Sequence, residues 1–306
     1  MFEEIGAGLF MIDAQMFGAP ENLSTYVIPE PVPTLIEPGP TTCHGAVMAG
    51  LAEMGIDDIA QVAVTHIHLD HAGGAGHMSE RFPKAQIFVH QIGAPHLADP
   101  TKLVNSATRI YGHDGMRELW GDIHPVDSAR MTAVDDGDVI SVGPNRHLDV
   151  VYTPGHAKHH MSFVDSETGI VMIGDSVGLT FPGIDIVHPV VPPPDIDVEL
   201  LIAQFDKYRA IQAPILGFAH FGLKYDVEAV LVESERRLRM WTDVADRHRN
   251  DSPEAVATLI AETDLDDMRA AGHPESDIER MRGRSDYAAN TTGLLRYVHK
   301  HRPHIH

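Results

Sequence analysis

The chain has 306 residues, 43% of them hydrophobic and 22% charged, which is enough to bury a large core as one big domain or one domain with an appendage. Lysine and arginine number 23 against 44 aspartates and glutamates, and the formal charge of -21 disfavours a nucleic-acid substrate, because phosphate binding needs cationic surface. No run approaches the roughly eighteen apolar residues of a membrane span, the start (Met1, Phe2, Glu3, Glu4) does not read as a secretory signal, and the lone Cys43 rules out an internal disulfide, so a cytoplasmic location is expected.

Short apolar runs at residues 8–12, 24–28 and 34–37, interrupted by Pro and Gly, predict strands and turns. Residues 43–55 have helical spacing and end at Gly55. Residues 59–64 read as a buried strand, and the most informative stretch follows it: Thr65-His66-Ile67-His68-Leu69-Asp70-His71-Ala72-Gly73-Gly74. Alternate residues of an extended segment point the same way, so His66 and His68 reach one metal ion, while Asp70 and His71 lie past the bend and face a second. Imidazole and carboxylate together suit zinc, iron or manganese. Further strands are expected at 86–90, 139–142, 148–152, 161–164 and 170–173, with a mostly polar helix at 101–120. Residues 178–197 hold Pro182, Pro189, Pro192, Pro193 and Pro194 and cannot be a helix; a stiff, partly apolar loop there would make a pocket wall. Helices are expected at 197–210 and 226–249, the second completing the core. Several short helices follow from Ser252, and the histidine-rich end from His299 to His306 reads as a solvated tail.

The segment His66 to His71 resembles the signature of the metallo-β-lactamase-fold hydrolases, in the dinuclear branch that includes glyoxalase II and lactonases. The resemblance implies three further ligands at strand ends, and the chain offers His156 in Thr153-Pro154-Gly155-His156, Asp175 in Ile173-Gly174-Asp175, and His220 in Phe218-Ala219-His220. By that resemblance His66, His68 and His156 hold a first ion, Asp70, His71 and His220 a second, and Asp175 bridges them; zinc is the expected metal, with iron or manganese as alternatives. It also implies an α/β fold, an αββα four-layer sandwich of two mixed sheets with helices on the outer faces. We place that domain at residues 1–248 and a helical C-terminal extension at 249–306. The two ions would bring a shared water to hydroxide near neutral pH, with Asp70 as the catalytic group orienting it.

Departures from the family narrow the reading. Subclasses of true β-lactamases carry a cysteine where Asp175 stands, and the oxygen-reducing flavodiiron relatives carry glutamate where His68 stands. The usual Asp-Thr-Gly near the start is matched here by Glu37-Pro38-Gly39, which gives Glu37 a supporting role behind the ligands. His160 falls where relatives place a histidine packing behind the ligands; His159 and His188 are candidates to face the pocket. His44, His90, His96, His113 and His124 read as ordinary polar histidines. Gly174-Asp175-Ser176-Val177-Gly178 matches the GxSxG elbow of serine hydrolases, but Leu179 to Gly183 breaks the helix that must follow. The expected function is hydrolysis of a small ester, thioester or lactone. Phosphodiester hydrolysis on the same metal site, a serine hydrolase using Ser176, and a non-catalytic metal-binding protein are the alternatives. The partner is then a small-molecule substrate, with no nucleic acid or membrane, and a homo-oligomer is compatible with the sequence.

Overall fold

The computed structural model describes residues 1–302. Of the histidine-rich end, His299 to His301 are helical, and residues 303–306 lie outside the described residues. The chain forms two compact units: the first is Met1–Thr153, His159–Gly174 and Ala213–Tyr225; the second is Pro154–Lys158, Asp175–Gln212 and the chain from Asp226 onward.

The first unit holds two large mixed sheets. Strands β1 (Phe2–Gly6), β2 (Leu9–Asp13), β3 (Ser24–Ile28), β4 (Thr34–Ile36), β5 (Gln61–Ala63), β6 (Gln86–His90) and β7 (Met131–Val134) form one sheet in sequence order. Pairing is antiparallel as far as β4 and parallel from β4 to β7. The second sheet is ordered β15-β14-β11-β10-β9-β8, from β8 (Val139–Ser141), β9 (His147–Tyr152), β10 (Met161–Asp165), β11 (Val171–Met172), β14 (Leu216–Phe218) and β15 (Gly222–Lys224). Helices α1 (His44–Glu53), α2 (Leu69–Ala72), α3 (Ala75–Arg81), α4 (Ala94–Ala98) and α5 (Thr101–Gly115) connect the parallel strands.

The two-residue period of a strand explains the layering. Leu9, Met11, Tyr26, Ile28, Ile36 and Ala63 share a cluster with Ile140, Leu148, Val150, Met161, Phe163 and Met172 of the other sheet. Their neighbours Ile12, Val27, Leu35 and Val62 face the opposite way, onto Val47 and Leu51 of α1 and Met78 of α3. A sheet buried on both faces reads as a continuous apolar run, which is why residues 59–64 stand out in the sequence. The edge strand β1 is exposed and polar, and its sequence carries no such signal. The helix expected over 101–120 is broken at Gly112 (φ +69°) and closes in a short wide turn, Met116–Trp120.

The second unit holds a hairpin, β12 (Leu179–Phe181) with β13 (Ile184–His188), and helices α6 (Val198–Ala203), α7 (Phe205–Ile211), α8 (Val227–Arg247), α9 (Pro253–Ala270), α10 (Glu275–Arg284) and α11 (Tyr287–His301). Part of the proline-rich stretch is this hairpin, and its Phe181, Ile184 and Ile186 pack into an apolar cluster with Leu265 and Met268 of α9 and Ile278 and Met281 of α10. Hairpin side chains that alternate across a strand need cover, and these helices supply it. The expected boundary at residue 248 also divides the chain differently from the folded units, because α8 is tied to α9. Fully buried Arg237 of α8 pairs with fully buried Asp264 of α9, whose carboxylate also accepts from Trp241 Nε1 at 3.1 Å and Tyr287 Oη at 2.8 Å. His188, a candidate for the pocket, lies inside this cluster against Trp241 and Tyr287. Burial pushes its pKa down to about 4, against the pull of Asp264, so the ring is neutral at physiological pH. Among the described residues no helix is long and apolar enough to cross a membrane.

In the first unit, buried Asp165 at the end of β10 takes a bidentate pair from Arg146, with Nε and Nη2 both at 2.7 Å. Burial alone would raise the carboxyl, but the bonds from Arg146 and Thr168 outweigh it and hold Asp165 below the usual range. A depressed carboxylate pKa stabilises the fold above the unfolded value and loses that contribution as pH falls through the folded value. Arg146→Met leaves the carboxylate buried without its partner, and we expect a loss of about 3–5 kcal/mol. Its acid unfolding should begin at a higher pH than that of the native chain. Thermal denaturation from about pH 3 to about pH 8, at intervals of about half a unit, checks both; an unchanged acid limb would contradict this account.

Candidate metal centre

The segment after β5 folds as its sequence suggests. His66 and His68 sit on extended chain, with His68 (φ -62°, ψ 154°) capping the single helical turn α2 that carries Asp70 and His71. Nε2 of His66 and Nδ1 of His68 approach to 3.0 Å. Asp70 Oδ2 lies 3.6 Å from His71 Nε2 and 3.3 Å from His220 Nε2, the last from the loop after β14. In the second unit, His156 Nε2 stands 3.5 Å from Asp175 Oδ2. One ligand atom each from His66, His68, His156 and Asp175 lie within 4.8 Å of one another, and so do one each from Asp70, His71, Asp175 and His220. All seven residues singled out in the sequence are therefore in these two groups, with Asp175 in both.

The partners behind the rings show that the donor set fits metal. A histidine that ligates through one nitrogen usually donates its other N–H to a fixed acceptor, which sets the tautomer. His66 Nδ1 is 3.0 Å from Thr65 Oγ1, His156 Nδ1–H donates to the Val190 carbonyl at 2.9 Å, and His220 Nδ1–H donates to the Asn22 carbonyl at 3.2 Å. His71 Nδ1 meets the Glu37 carboxylate in a very short contact. In each of these four rings Nε2 is the nitrogen presented to the group. The 3.0 Å approach of two imidazole nitrogens is close to the edge of a tetrahedron with metal bonds of about 2.0–2.1 Å, roughly 3.3 Å. The clusters are compatible with a divalent metal site.

Glu37 is where the structure adds most to the sequence. It follows β4 in the left-handed region (φ +63°) and is buried. Its Oε1 accepts from the Thr65 N–H at 2.6 Å while Oε2 faces His71. Strained backbone at a buried carboxylate persists only where the surroundings over-determine it. Pro38-Gly39 then turns back onto α2: the Gly39 N–H donates to the His71 carbonyl at 3.1 Å, and the Gly74 N–H to the Gly39 carbonyl at 2.8 Å. A side chain at Gly74 would stand 2.9 Å from that same carbonyl, which accounts for a glycine after the histidine motif. His160 donates to or accepts from Thr153 Oγ1 at 2.9 Å with its ring centroid 4.9 Å from that of His66, and His159 Nδ1 receives the Ile67 N–H at 3.4 Å. The carbonyls of Asn22 and Val190 have no sequence signal, since every residue has one.

Two other groups are excluded by their surroundings. Burial, with Asp70 and Asp13 nearby, pushes the Cys43 thiol up to about 12, so it is protonated at neutral pH, and it is in neither of the two His/Asp groups. Ser176 is buried and its hydroxyl meets that of Tyr208; β12, not a helix, follows it, so the nucleophile elbow is not formed. A third metal-compatible grouping has no signal in the sequence: His77 and Glu80 of α3 with His124, which reads there as an ordinary polar histidine. The rings of His77 and His124 stack at 3.9 Å with 26° between their planes, so their lone pairs run side by side rather than converging.

Fold and donor set define a metal-dependent hydrolase built on two mixed sheets. The chain belongs to the metallo-beta-lactamase superfamily, whose family model matches residues 21–220. It is similar to the metallo-beta-lactamase fold-containing protein ST1585 of Sulfurisphaera tokodaii, 28% identical over 229 residues that span 71% of this chain and 79% of that one. The crystal structure of that archaeal protein superposes with a TM-score of 0.62 at 26% identity, covering 77% of this chain and 86% of its own. An atrochrysone carboxyl ACP thioesterase of Aspergillus fumigatus is 32% identical over 130 residues, 42% of this chain and 31% of that protein. A metallo-beta-lactamase family protein of Thermus thermophilus, TTHA1429, shares the fold over 97% of this chain and 95% of its own, with a TM-score of 0.72 at 19% identity.

Replacing Glu37 by Gln keeps an acceptor for Thr65 but turns the other end into a poorer partner for His71. We expect affinity for a metal ion at the group that contains His71 to fall about 10–100-fold with the fold intact. Chelator competition followed metal by metal measures this, and equal affinities in Glu37→Gln and native protein would contradict it.

Proposed function

We propose that the chain is a dinuclear metal hydrolase of small ester, thioester or lactone substrates, with zinc as the native metal. The observation that carries the reading is the pair of His/Asp groups that share Asp175. On this reading His66, His68 and His156 would hold one ion and Asp70, His71 and His220 the other, with Asp175 common to the two groups. When bound, two divalent ions supply an activated water at neutral pH and polarise the carbonyl under attack.

The residues of the chain then have distinct tasks. Glu37, Val190 and Asn22 hold the rings of His71, His156 and His220 in one tautomer, and the Thr65 hydroxyl fixes the orientation of His66. Asp70 is the more exposed of the two carboxylates, 22% against 2% for Asp175. Exposure puts it where solvent and substrate arrive, and we assign it the orienting of the attacking water. Residues 178–197 contain no Lys or Arg, and the formal charge of -21 repels polyanions, which supports a neutral or weakly anionic acyl substrate over nucleic acid. The likeness to a thioesterase supports the acyl class as well. A cytoplasmic location belongs to the same reading.

Elemental analysis of untagged protein should give about two ions per chain. His156→Ala and Asp175→Ala should each lower kcat/KM by a factor of about 10²–10³ or more. Ser176→Ala should keep most activity and lose about 1 kcal/mol of stability with the Tyr208 contact. Loss of turnover in Ser176→Ala with both metals bound would return the reaction to the serine.

A panel of thioesters, esters, lactones, phosphodiesters and oligonucleotides tests the substrate class. The highest kcat/KM should fall on an acyl compound. A nuclease or phosphodiesterase activity well above every acyl rate would overturn the assignment.

A further inference from the structure

The C-terminal helix α11 touches the backbone that orients His156. His156 Nδ1–H donates to the carbonyl of Val190 at 2.9 Å. The N–H of the next residue, Val191, donates to Asn290 Oδ1 at 2.6 Å. That carbonyl and that N–H belong to one peptide unit, which is planar and trans, so they point in opposite directions. The 190–191 peptide is thus gripped at both ends, by a helix side chain at its nitrogen and by the imidazole at its oxygen.

The surrounding chain leaves this peptide few other anchors. Pro189, Pro192, Pro193 and Pro194 flank it and have no N–H to give. Asn290 is buried, and its amide is itself fixed, Nδ2 donating to the Asp286 carbonyl at 2.9 Å. Asp286 caps α11 by accepting from the Ala289 N–H at 2.9 Å. One turn on, Gly293 lets the helix rest against the same stretch of chain: a Cβ there would stand 1.9 Å from the Val191 carbonyl oxygen. The helix is fastened at its start by Tyr287 Oη, which donates to Asp264 at 2.8 Å.

We propose that Asn290, with Gly293 as the contact that makes room for it, is a positioning residue for the His156 ligand. Asn290 fixes the plane of the 190–191 peptide. By accepting at the peptide nitrogen it also polarises the carbonyl, making it a stronger acceptor for His156 Nδ1–H. The imidazole is held in the tautomer and rotation that present Nε2, and the ring becomes more basic toward metal. The helical C-terminal region thereby acts on the metal centre through one peptide bond without supplying a ligand. This inference rests on the proposed role of His156 as a ligand.

Asn290→Leu removes the acceptor while keeping a side chain branched at Cγ, Asn290→Ala removes it while leaving room for a water, and Asn290→Asp keeps it. Full-length proteins stripped and reloaded with zinc or cobalt are titrated against a chelator, and the visible spectrum of the cobalt forms is recorded. We expect Asn290→Leu to weaken the ion held by His156 by about 10–100-fold and to shift the cobalt spectrum, with the other ion little changed. Asn290→Ala should move the same way by less, and Asn290→Asp should stay near native. If Asn290→Leu does not fold, the Ala and Asp variants decide the matter. Native affinity and spectrum in the Leu or Ala variants, or equal weakening of both ions in the Asp variant, would overturn the proposal. Native protein that binds no metal at all would instead overturn the ligand assignment on which it rests.

Discussion

The carboxylate of Glu37 is the interaction on which the metal-binding half of the first unit depends. A buried carboxylate is costly unless its oxygens are hydrogen-bonded. Here one oxygen takes the Thr65 N–H and the other faces His71 Nδ1. Thr65 in turn abuts His66. The Glu37 N–H donates to the Ala63 carbonyl at 3.0 Å, and its carbonyl accepts from Thr25 Oγ1 at 2.7 Å. One residue therefore ties the ends of β4 and β5, the start of the ligand loop and a histidine of α2. Its left-handed backbone is accommodated because so many bonds fix it.

The other rings are held by simpler means. A threonine hydroxyl serves His66, and backbone carbonyls serve His156 and His220. Backbone carbonyls stay where the surrounding fold puts them, so a rigid scaffold gives precise ligand placement from loops that need no special sequence. The same separation explains why the centre says little about substrate. As proposed, these residues and their supports would serve any reaction that needs an activated water, while selectivity belongs to the surfaces around them.

The second unit is organised by a buried polar cluster. Asp264 accepts from Arg237, Trp241 and Tyr287, which joins α8, α9 and α11. Removing Arg237 or Asp264 would leave an uncompensated buried charge, so the three helices are held together as a set. The hairpin β12–β13 lays Phe181, Ile184 and Ile186 on α9 and α10 and turns His188 toward Trp241 and Tyr287. The proline-rich stretch that follows is stiff and poor in donors, and α11 meets it at Val191, through Asn290 at the N–H and Gly293 at the carbonyl.

The strands buried on both faces and the run His66 to His71 are legible in the sequence, carried by local pattern: a run of apolar residues, and a histidine spacing matched to extended chain and one helical turn. His156, Asp175 and His220 are legible only through the resemblance to a known family, and the order of the strands within each sheet is set by long-range pairing. Glu37 is legible only as a departure from a familiar triplet; that its two oxygens reach Thr65 and His71 follows from the parallel pairing of β4 with β5. That Phe181, Ile184 and Ile186 pack on α9 and α10, and His188 against Trp241 and Tyr287, is not legible in the sequence, because hydrophobicity says that a side chain will be covered but not by what. Nor does the sequence carry any sign of the carbonyls behind His156 and His220, or of Asn290 behind Val191, since hydrogen bonds between residues far apart in the chain have no local signature. Tertiary structure decides those partners, because it alone fixes where a distant backbone group ends up.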